Sequence, residues 1–84
     1  MKRARKRFGQ RVQRLRKRKG FTQEELAKRA KLHPTHLSRI ERGMREPRLT
    51  TILQLKEGLQ VTADELLEGL DDSSEEEEEE NGES

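Results

Sequence analysis

The chain has 84 residues, of which 43% are charged and only 27% hydrophobic, too few to bury a large core along its whole length. It has no cysteine, which excludes a disulfide framework, a thiolate metal site and a cysteine nucleophile. No apolar run approaches the roughly 20 residues that span a bilayer, and no apolar stretch follows the basic N-terminus as a secretory signal requires. We therefore expect one small, mostly helical domain in the cytoplasm, without a membrane.

Charge is distributed very unevenly along the chain. Residues 1–19 carry eleven Lys or Arg and no acid, whereas residues 71–84 carry nine acids and no base. Because the residues between hold eight of each sign, the body sums to +11 and the tail to −9. This asymmetry is typical of a polyanion-binding body with an acidic tail, and a merely solubilising charge distribution is the alternative. We expect a disordered basic arm over residues 1–7 and a disordered acidic tail over residues 71–84.

The first predicted helix carries an apolar stripe. Phe8, Val12 and Leu15 lie four and three residues apart, which is helical spacing. The helix is predicted from about Arg5 to residue 19, and Gly20 is placed to end it.

Two short helices follow, separated by only about three residues. Thr22 and Glu25 predict a capping box for the second helix, while Pro34 suits the first turn of a third helix that Gly43 ends. A connection this short forces the steep crossing of a helix-turn-helix. Small or apolar residues recur where the two helices would be buried: Leu26, Ala27, Ala30, Leu32, Leu37 and Ile40.

Two further helices complete the predicted fold. Apolar residues recur at helical spacing from Leu49 to Leu59, and Thr62 with Glu65 repeats the capping signature before a short fifth helix. No strand pattern is present. The sequence therefore predicts an all-α, compact five-helix bundle as a single domain over residues 8–70.

These segments resemble a known family. GFTQEELAKRAKLHPTHLSRIERG, the following proline and LTTILQLKEGLQV are similar to the phage-repressor-like helix-turn-helix family, of lambda-repressor/Cro and xenobiotic-response-element type. That family includes restriction–modification controller proteins, small stand-alone regulators and many antitoxins. The resemblance implies a sequence-specific DNA-binding regulator, without a cofactor, that binds a palindromic operator in double-stranded DNA as a homodimer. Such a protein is expected in the cytoplasm, associated with the nucleoid.

The tight turn departs from the family pattern. Lys31 stands where relatives usually have glycine, and a left-handed conformation there costs a non-glycine residue on the order of 1 kcal/mol. We therefore expect a slightly altered turn. Lys56 stands where the fourth helix commonly has alanine, and the acidic tail has no counterpart in the family.

The resemblance implies that the third helix enters the major groove and reads base edges. Its outward residues are Pro34, Thr35, His36, Ser38 and Arg39. Arg39 is the foremost candidate because its guanidinium fork matches the two major-groove acceptors of guanine, with a solvated arginine as the alternative. Pro34 cannot donate a hydrogen bond, so base reading is expected to shift to Thr35, His36 and Arg39.

Other residues are expected to contact phosphates. By resemblance, Gln23 anchors a phosphate with its amide beside Thr22, assisted by free backbone N–H groups at the start of the second helix. Arg42, Arg45 and Arg48 flank the end of the third helix and would add affinity and salt dependence, although each could instead be solvated. The basic arm would either follow the backbone, enter a minor groove, or add only general attraction.

Two structural roles follow from the same resemblance. Arg16 and Glu41 match a pair that is salt-bridged in relatives and would tie the first helix to the end of the third. The C-terminal apolar residues would form the two-fold dimer interface, or else only close the core. The candidates for that interface are Leu59, Val61, Leu66, Leu67 and Leu70.

Other classes of function are weighed against this prediction. An antitoxin or a coactivator-like module would use the same fold to bind a partner protein, and the acidic tail could be solvated, compete with DNA or bind a basic protein. No enzyme is expected, because so small a bundle has little room for a concave catalytic site. No metal site is expected either, since His33 lies in the turn before His36 and no third ligand is near. The scarcity of aromatic residues disfavours RNA binding.

Overall fold

The computed structural model describes residues 2–70, which form five helices and no strand. The helices are α1 (Lys2–Lys19), α2 (Gln23–Ala30), α3 (Pro34–Glu41), α4 (Leu49–Leu59) and α5 (Ala63–Leu67). The predicted all-α bundle is confirmed, and α2 and α3 form the helix-turn-helix. The predicted acidic tail, residues 71–84, lies outside the described residues.

The start of α1 differs from the prediction. The sequence predicts a helix from about Arg5 and a disordered arm over residues 1–7, but the helix begins at Lys2. Residues 2–7 are lysine, arginine and alanine, which are all strong helix formers. Ala4 and Arg5 also lie beside Leu70 at the end of the bundle. Local propensity and this packing together extend α1 through most of the predicted arm.

One hydrophobic core joins all five helices. Its centre is formed by the leucines and β-branched residues that the periodicity places inward, and every helix contributes at least one fully buried side chain. The core residues are Phe8, Val12, Leu15, Leu26, Ala27, Ala30, Leu37, Ile40, Leu55, Leu59, Val61 and Leu66. Among residues 2–70, no helix combines the length and the apolar character that a membrane crossing needs.

The turn between α2 and α3 keeps the left-handed geometry. Lys31 has φ 60° and ψ 42°, and the N–H of Leu32 donates to the carbonyl of Ala27 across the end of α2 (2.8 Å). The prediction of an altered turn is therefore wrong: lysine adopts the conformation at a cost on the order of 1 kcal/mol. The missing glycine changes the energy of the turn rather than its path.

Two glycines let helices approach each other closely. A Cβ atom on Gly9 in α1 would overlap the carbonyl oxygen of Ile40 and lie 2.7 Å from that of Glu41. A Cβ atom on Gly58 in α4 would lie 2.9 Å from the backbone nitrogen of Ala30. Gly9 therefore brings α1 against the end of α3, and Gly58 brings α4 against the end of α2.

Candidate nucleic-acid interface

The start of α3 is fixed by its first residues. His33 is the N-cap, and its Nδ1 accepts a hydrogen bond from the N–H of Thr35 (3.1 Å). Pro34 occupies the first turn, where its fixed φ suits the helix and its missing N–H is not needed. The sequence predicted His33 only as a turn residue, because imidazole is not among the usual capping side chains.

The outward surface of α3 carries all five predicted base-reading residues. Leu37 and Ile40 are fully buried and hold the helix to the core. Three of the outward residues are exposed and two, His36 and Ser38, are half-buried. The exposed residues are Pro34, Thr35 and Arg39.

His36 lies within a cluster of positive charge. Its pKa is lowered from the usual value by burial, and then by the charges of Arg45, Arg48 and Arg39. The loop after α3 therefore brings two of its arginines close to the recognition helix. The lowered pKa favours the neutral form of His36, in which one ring nitrogen donates and the other accepts. Arg42 is also exposed near the end of the helix.

A buried ion pair fixes the far end of α3. Arg16 donates from Nε to Glu41 Oε2 (2.7 Å) and from Nη2 to Glu41 Oε1 (3.1 Å), a bidentate arrangement. Arg16 Nη1 also donates to the carbonyl oxygen of Phe21 (2.9 Å). Both side chains are almost fully buried. The pair ties α1 and the loop before α2 to the last residue of α3.

Gln23 joins the same network. Its Nε2 donates to Glu41 Oε1 (2.9 Å), so the amide that resemblance assigns to a phosphate also orients the buried carboxylate. A side-chain amide nitrogen has two protons, and the half-buried residue keeps the second one for another acceptor. Motif comparison gave no signal for this hydrogen bond, because it joins residues 18 positions apart on two helices.

The start of α2 is held by the predicted capping box. The N–H of Glu25 donates to Thr22 Oγ1 (3.0 Å), and the N–H of Thr22 donates to Glu25 Oε1 (2.8 Å). The Thr22 side chain is exposed and its hydroxyl proton is not used in the box. Thr22 and Gln23 therefore present one hydroxyl and one amide donor side by side.

The predicted dimer residues separate into two groups. Leu59, Val61 and Leu66 are buried in the core and cannot face a partner without unfolding the bundle. Leu67 is 39% exposed and Leu70 is half-buried, so only these two reach the surface.

Sequence reasoning missed the most exposed apolar residues. These are Leu49 (71% exposed), Met44 (61%) and Leu53 (50%). Leu49 and Leu53 lie one helical turn apart on α4, and the sequence indicated only their helical spacing. The five apolar residues of α4 cover too wide an arc of the helix for one buried stripe. The width of this arc could have indicated, from the sequence alone, that some of these residues are exposed.

The described residues 2–70 contain no candidate metal site. Within residues 2–70, no three histidine, aspartate or glutamate side chains come together in a way that could hold a metal ion. His33 is occupied as the cap of α3, while His36 lies in the arginine cluster.

Comparison with known proteins identifies the arrangement. Residues 12–66 match the helix-turn-helix family, which is more than half of the chain. The chain belongs to this family. The helix-turn-helix protein is 39% identical over 69 residues to an uncharacterised HTH-type transcriptional regulator, y4dJ, of Sinorhizobium fredii, which covers 82% of the chain and 90% of that relative.

Solved structures give the same result. The restriction–modification controller protein C.AhdI from Aeromonas hydrophila has a TM-score of 0.71 at 39% identity, covering 73% of this chain and 92% of that one. The clp gene regulator ClgR from C. glutamicum has a TM-score of 0.77 at 27% identity, covering 83% and 90% respectively. The helix-turn-helix protein is thus a DNA-binding transcriptional regulator and not an enzyme.

Proposed function

We propose that the protein binds a palindromic operator as a homodimer, with α3 of each protomer in the major groove. The observation that carries this proposal is the outward surface of α3, where polar side chains lie beside an arginine cluster around His36. A dimer of this kind reads two half-sites about one helical turn of DNA apart. A protein bound to such an operator would lie in the cytoplasm, at the nucleoid.

Each residue of α3 has a distinct proposed role. Arg39 reads guanine through its two major-groove acceptors, a contact that contributes roughly 1–3 kcal/mol of discrimination. Thr35 donates, accepts or contacts a thymine methyl group, and His36 and Ser38 hydrogen-bond to a base or a phosphate. Pro34 has no donor and packs against a base edge.

Phosphate contacts hold α3 in register on the duplex. Gln23 donates its second amide proton and Thr22 its hydroxyl proton to one backbone strand. Arg42, Arg45 and Arg48 contact the backbone beside the groove, which adds affinity and salt dependence without sequence preference.

The N-terminal turns of α1 extend this basic surface. A Cβ atom on Gly43 would lie 2.9 Å from Lys6 Cα, so the first turns of α1 pass directly against the chain just after α3. We propose that Arg3 to Arg7 act as a helical extension of the DNA-binding domain and contact phosphates that flank the half-site.

The exposed apolar residues form the proposed dimer surface. Met44 is exposed in the loop after α3, Leu49 and Leu53 are exposed on α4, and Leu67 is exposed on α5. Exposed apolar side chains that form one patch commonly mark a protein interface. In a two-fold dimer each of these residues meets the same patch of the partner. Leu53→Glu should give only monomer in analytical ultracentrifugation, whereas the exposed control Lys28→Glu should leave the dimer intact.

A matched pair of variants tests the DNA contacts. Sites selected from a random DNA pool should be palindromic, and Arg39→Ala should relax preference at one position of each half-site by roughly 1–3 kcal/mol. Arg48→Ala should weaken binding to all sequences and reduce the salt slope by about 1. Selection that enriches no sequence would refute operator binding and favour the antitoxin or coactivator-like alternative. Equal effects of the two variants on every sequence would refute the assignment of Arg39.

A further inference from the structure

The described chain ends beside α1, its most basic helix. Leu70 lines a groove with Ala4 and Arg5 on one flank of α1. Glu68 and Gly69 line a second groove on the other flank, together with basic residues of α1. Those residues are Arg7, Arg11 and Arg14. The described chain thus ends between a mostly apolar groove that contains Arg5 and a second groove that contains three arginines.

The last described residues are already bound to α1 by charge. Arg11 Nη2 contacts Glu68 Oε1 at 2.9 Å, and Arg11 Nε donates to the carbonyl oxygen of Glu65 (2.8 Å). Arg5 Nε is buried and has no hydrogen-bond partner among the described residues. Arg5 lies in the groove that Leu70 lines, and the chain continues directly from Leu70 into Asp71 and Asp72.

The segment that follows has the charge and the reach to cover α1. Residues 71–84 contain nine acids and no base. Fourteen residues in extended conformation reach at most about 50 Å, whereas the 18-residue helix is about 27 Å long. A tethered segment of this length acts at an effective concentration on the order of millimolar. Many acidic positions can thus reach the arginines of α1 from one exit point.

We propose that residues 71–84 bind along the basic residues of α1 and compete there with the phosphates of DNA. The competition rests on the proposed DNA-binding function, whereas the intramolecular contact does not. In this proposal the acidic segment covers α1 and leaves the base-reading residues of α3 accessible. Its effect is to suppress binding that depends on charge alone, which increases selectivity for the operator.

The contact is tested first without DNA. The test uses an amide-tail variant, in which all nine tail acids become amides (Asp71→Asn, Asp72→Asn and glutamine at each tail glutamate). This variant keeps the length of the tail and the point at which it leaves the bundle. At low salt, its backbone amide NMR shifts should differ from wild type over residues 3–14 of α1, and the difference should vanish near 0.3 M salt and be independent of protein concentration. Unchanged α1 shifts would overturn the proposal, as would differences confined to α3.

A pair of single variants localises the contact. Arg14 is an exposed arginine in the groove beside Glu68 and Gly69, whereas Lys28 is an exposed lysine of α2 that lies in neither groove. Arg14→Gln should reduce the shift difference between the wild-type and amide tails, and Lys28→Gln should leave it unchanged. Equal reductions by both variants would show general attraction and overturn a contact with α1.

The competition is tested with random-sequence duplex DNA. If the tail covers three cations of α1, its neutralisation steepens the slope of log affinity against log salt by about 2.7. The amide-tail variant should therefore bind on the order of 40-fold more tightly than wild type at about 50 mM salt and converge with it near about 200 mM. Equal affinities at low salt would overturn the competition. Failure of both proteins to bind any DNA would instead refute the proposed function, while the NMR comparison would still decide the contact.

Discussion

Removal of Arg16 alone should nearly unfold the protein. Arg16→Met supplies an apolar side chain but removes two of the three hydrogen bonds that Glu41 accepts, together with the only ion pair that this carboxylate makes within residues 2–70. A buried carboxylate that loses its partner costs about 3–5 kcal/mol. A domain with about 70 ordered residues has a total stability of roughly 3–10 kcal/mol. The single loss is therefore comparable with the whole free energy of unfolding.

The double variant separates charge from packing. Arg16→Met with Glu41→Leu removes both charges, and replacing a buried pair by apolar residues is often neutral or stabilising. Gln23 is half-buried, so its freed amide can bind water. The double variant should consequently recover most of the stability that the single variant loses.

Urea unfolding followed by circular dichroism measures this difference. With a slope of about 1 kcal/mol per molar urea, typical of the smallest domains, Arg16→Met should move the midpoint down by about 3 M or more. A loss below about 1 kcal/mol in the single variant would refute the uncompensated charge as the cause. A double variant no more stable than Arg16→Met would also refute the uncompensated charge as the cause, because the loss of stability would then come from packing.

Three further predictions follow from the backbone and from His36. Lys31→Gly should raise the free energy of unfolding by up to about 1 kcal/mol, and an equal gain in Lys31→Ala, which keeps the left-handed penalty, would contradict this explanation. Gly9→Ala should lower stability by about 1–3 kcal/mol despite the better helix propensity of alanine, because its Cβ overlaps the end of α3; a thermal melt that shows stabilisation would refute the close approach. The lowered pKa of His36 means that the folded state binds protons less readily than the unfolded state, so stability should fall as pH drops through the unfolded value of about 6.5. His36→Asn should remove this part of the pH dependence, and an unchanged profile would exclude His36 as its source.

Local signals in the sequence were sufficient for the fold. The two capping boxes, at Thr22 and Thr62, fix the starts of α2 and α5, and both form as predicted. The short connection between α2 and α3 then leaves little choice of arrangement. These features depend on residues that are close in the chain, so the pattern of residue types contains most of the information.

Features that depend on competition between surfaces were not predictable in this way. Leu49 and Leu53 have helical spacing, but periodicity does not state which part of a wide apolar arc meets the core. The start of α1 depends on whether Ala4 finds a partner near Leu70, which only the packed end of the bundle determines. Lys31 adopts a strained conformation because the core on either side outweighs a local penalty.

The network around Glu41 links the two halves of the proposed DNA contact. One carboxylate receives Arg16 from α1 and Gln23 from the start of α2, and it belongs to the last residue of α3. The donor proposed for a phosphate and the helix proposed for the bases are therefore held by the same buried group. Because hydrogen bonds of this length tolerate little displacement, a shift of α3 in the groove would also move the Gln23 amide relative to the backbone.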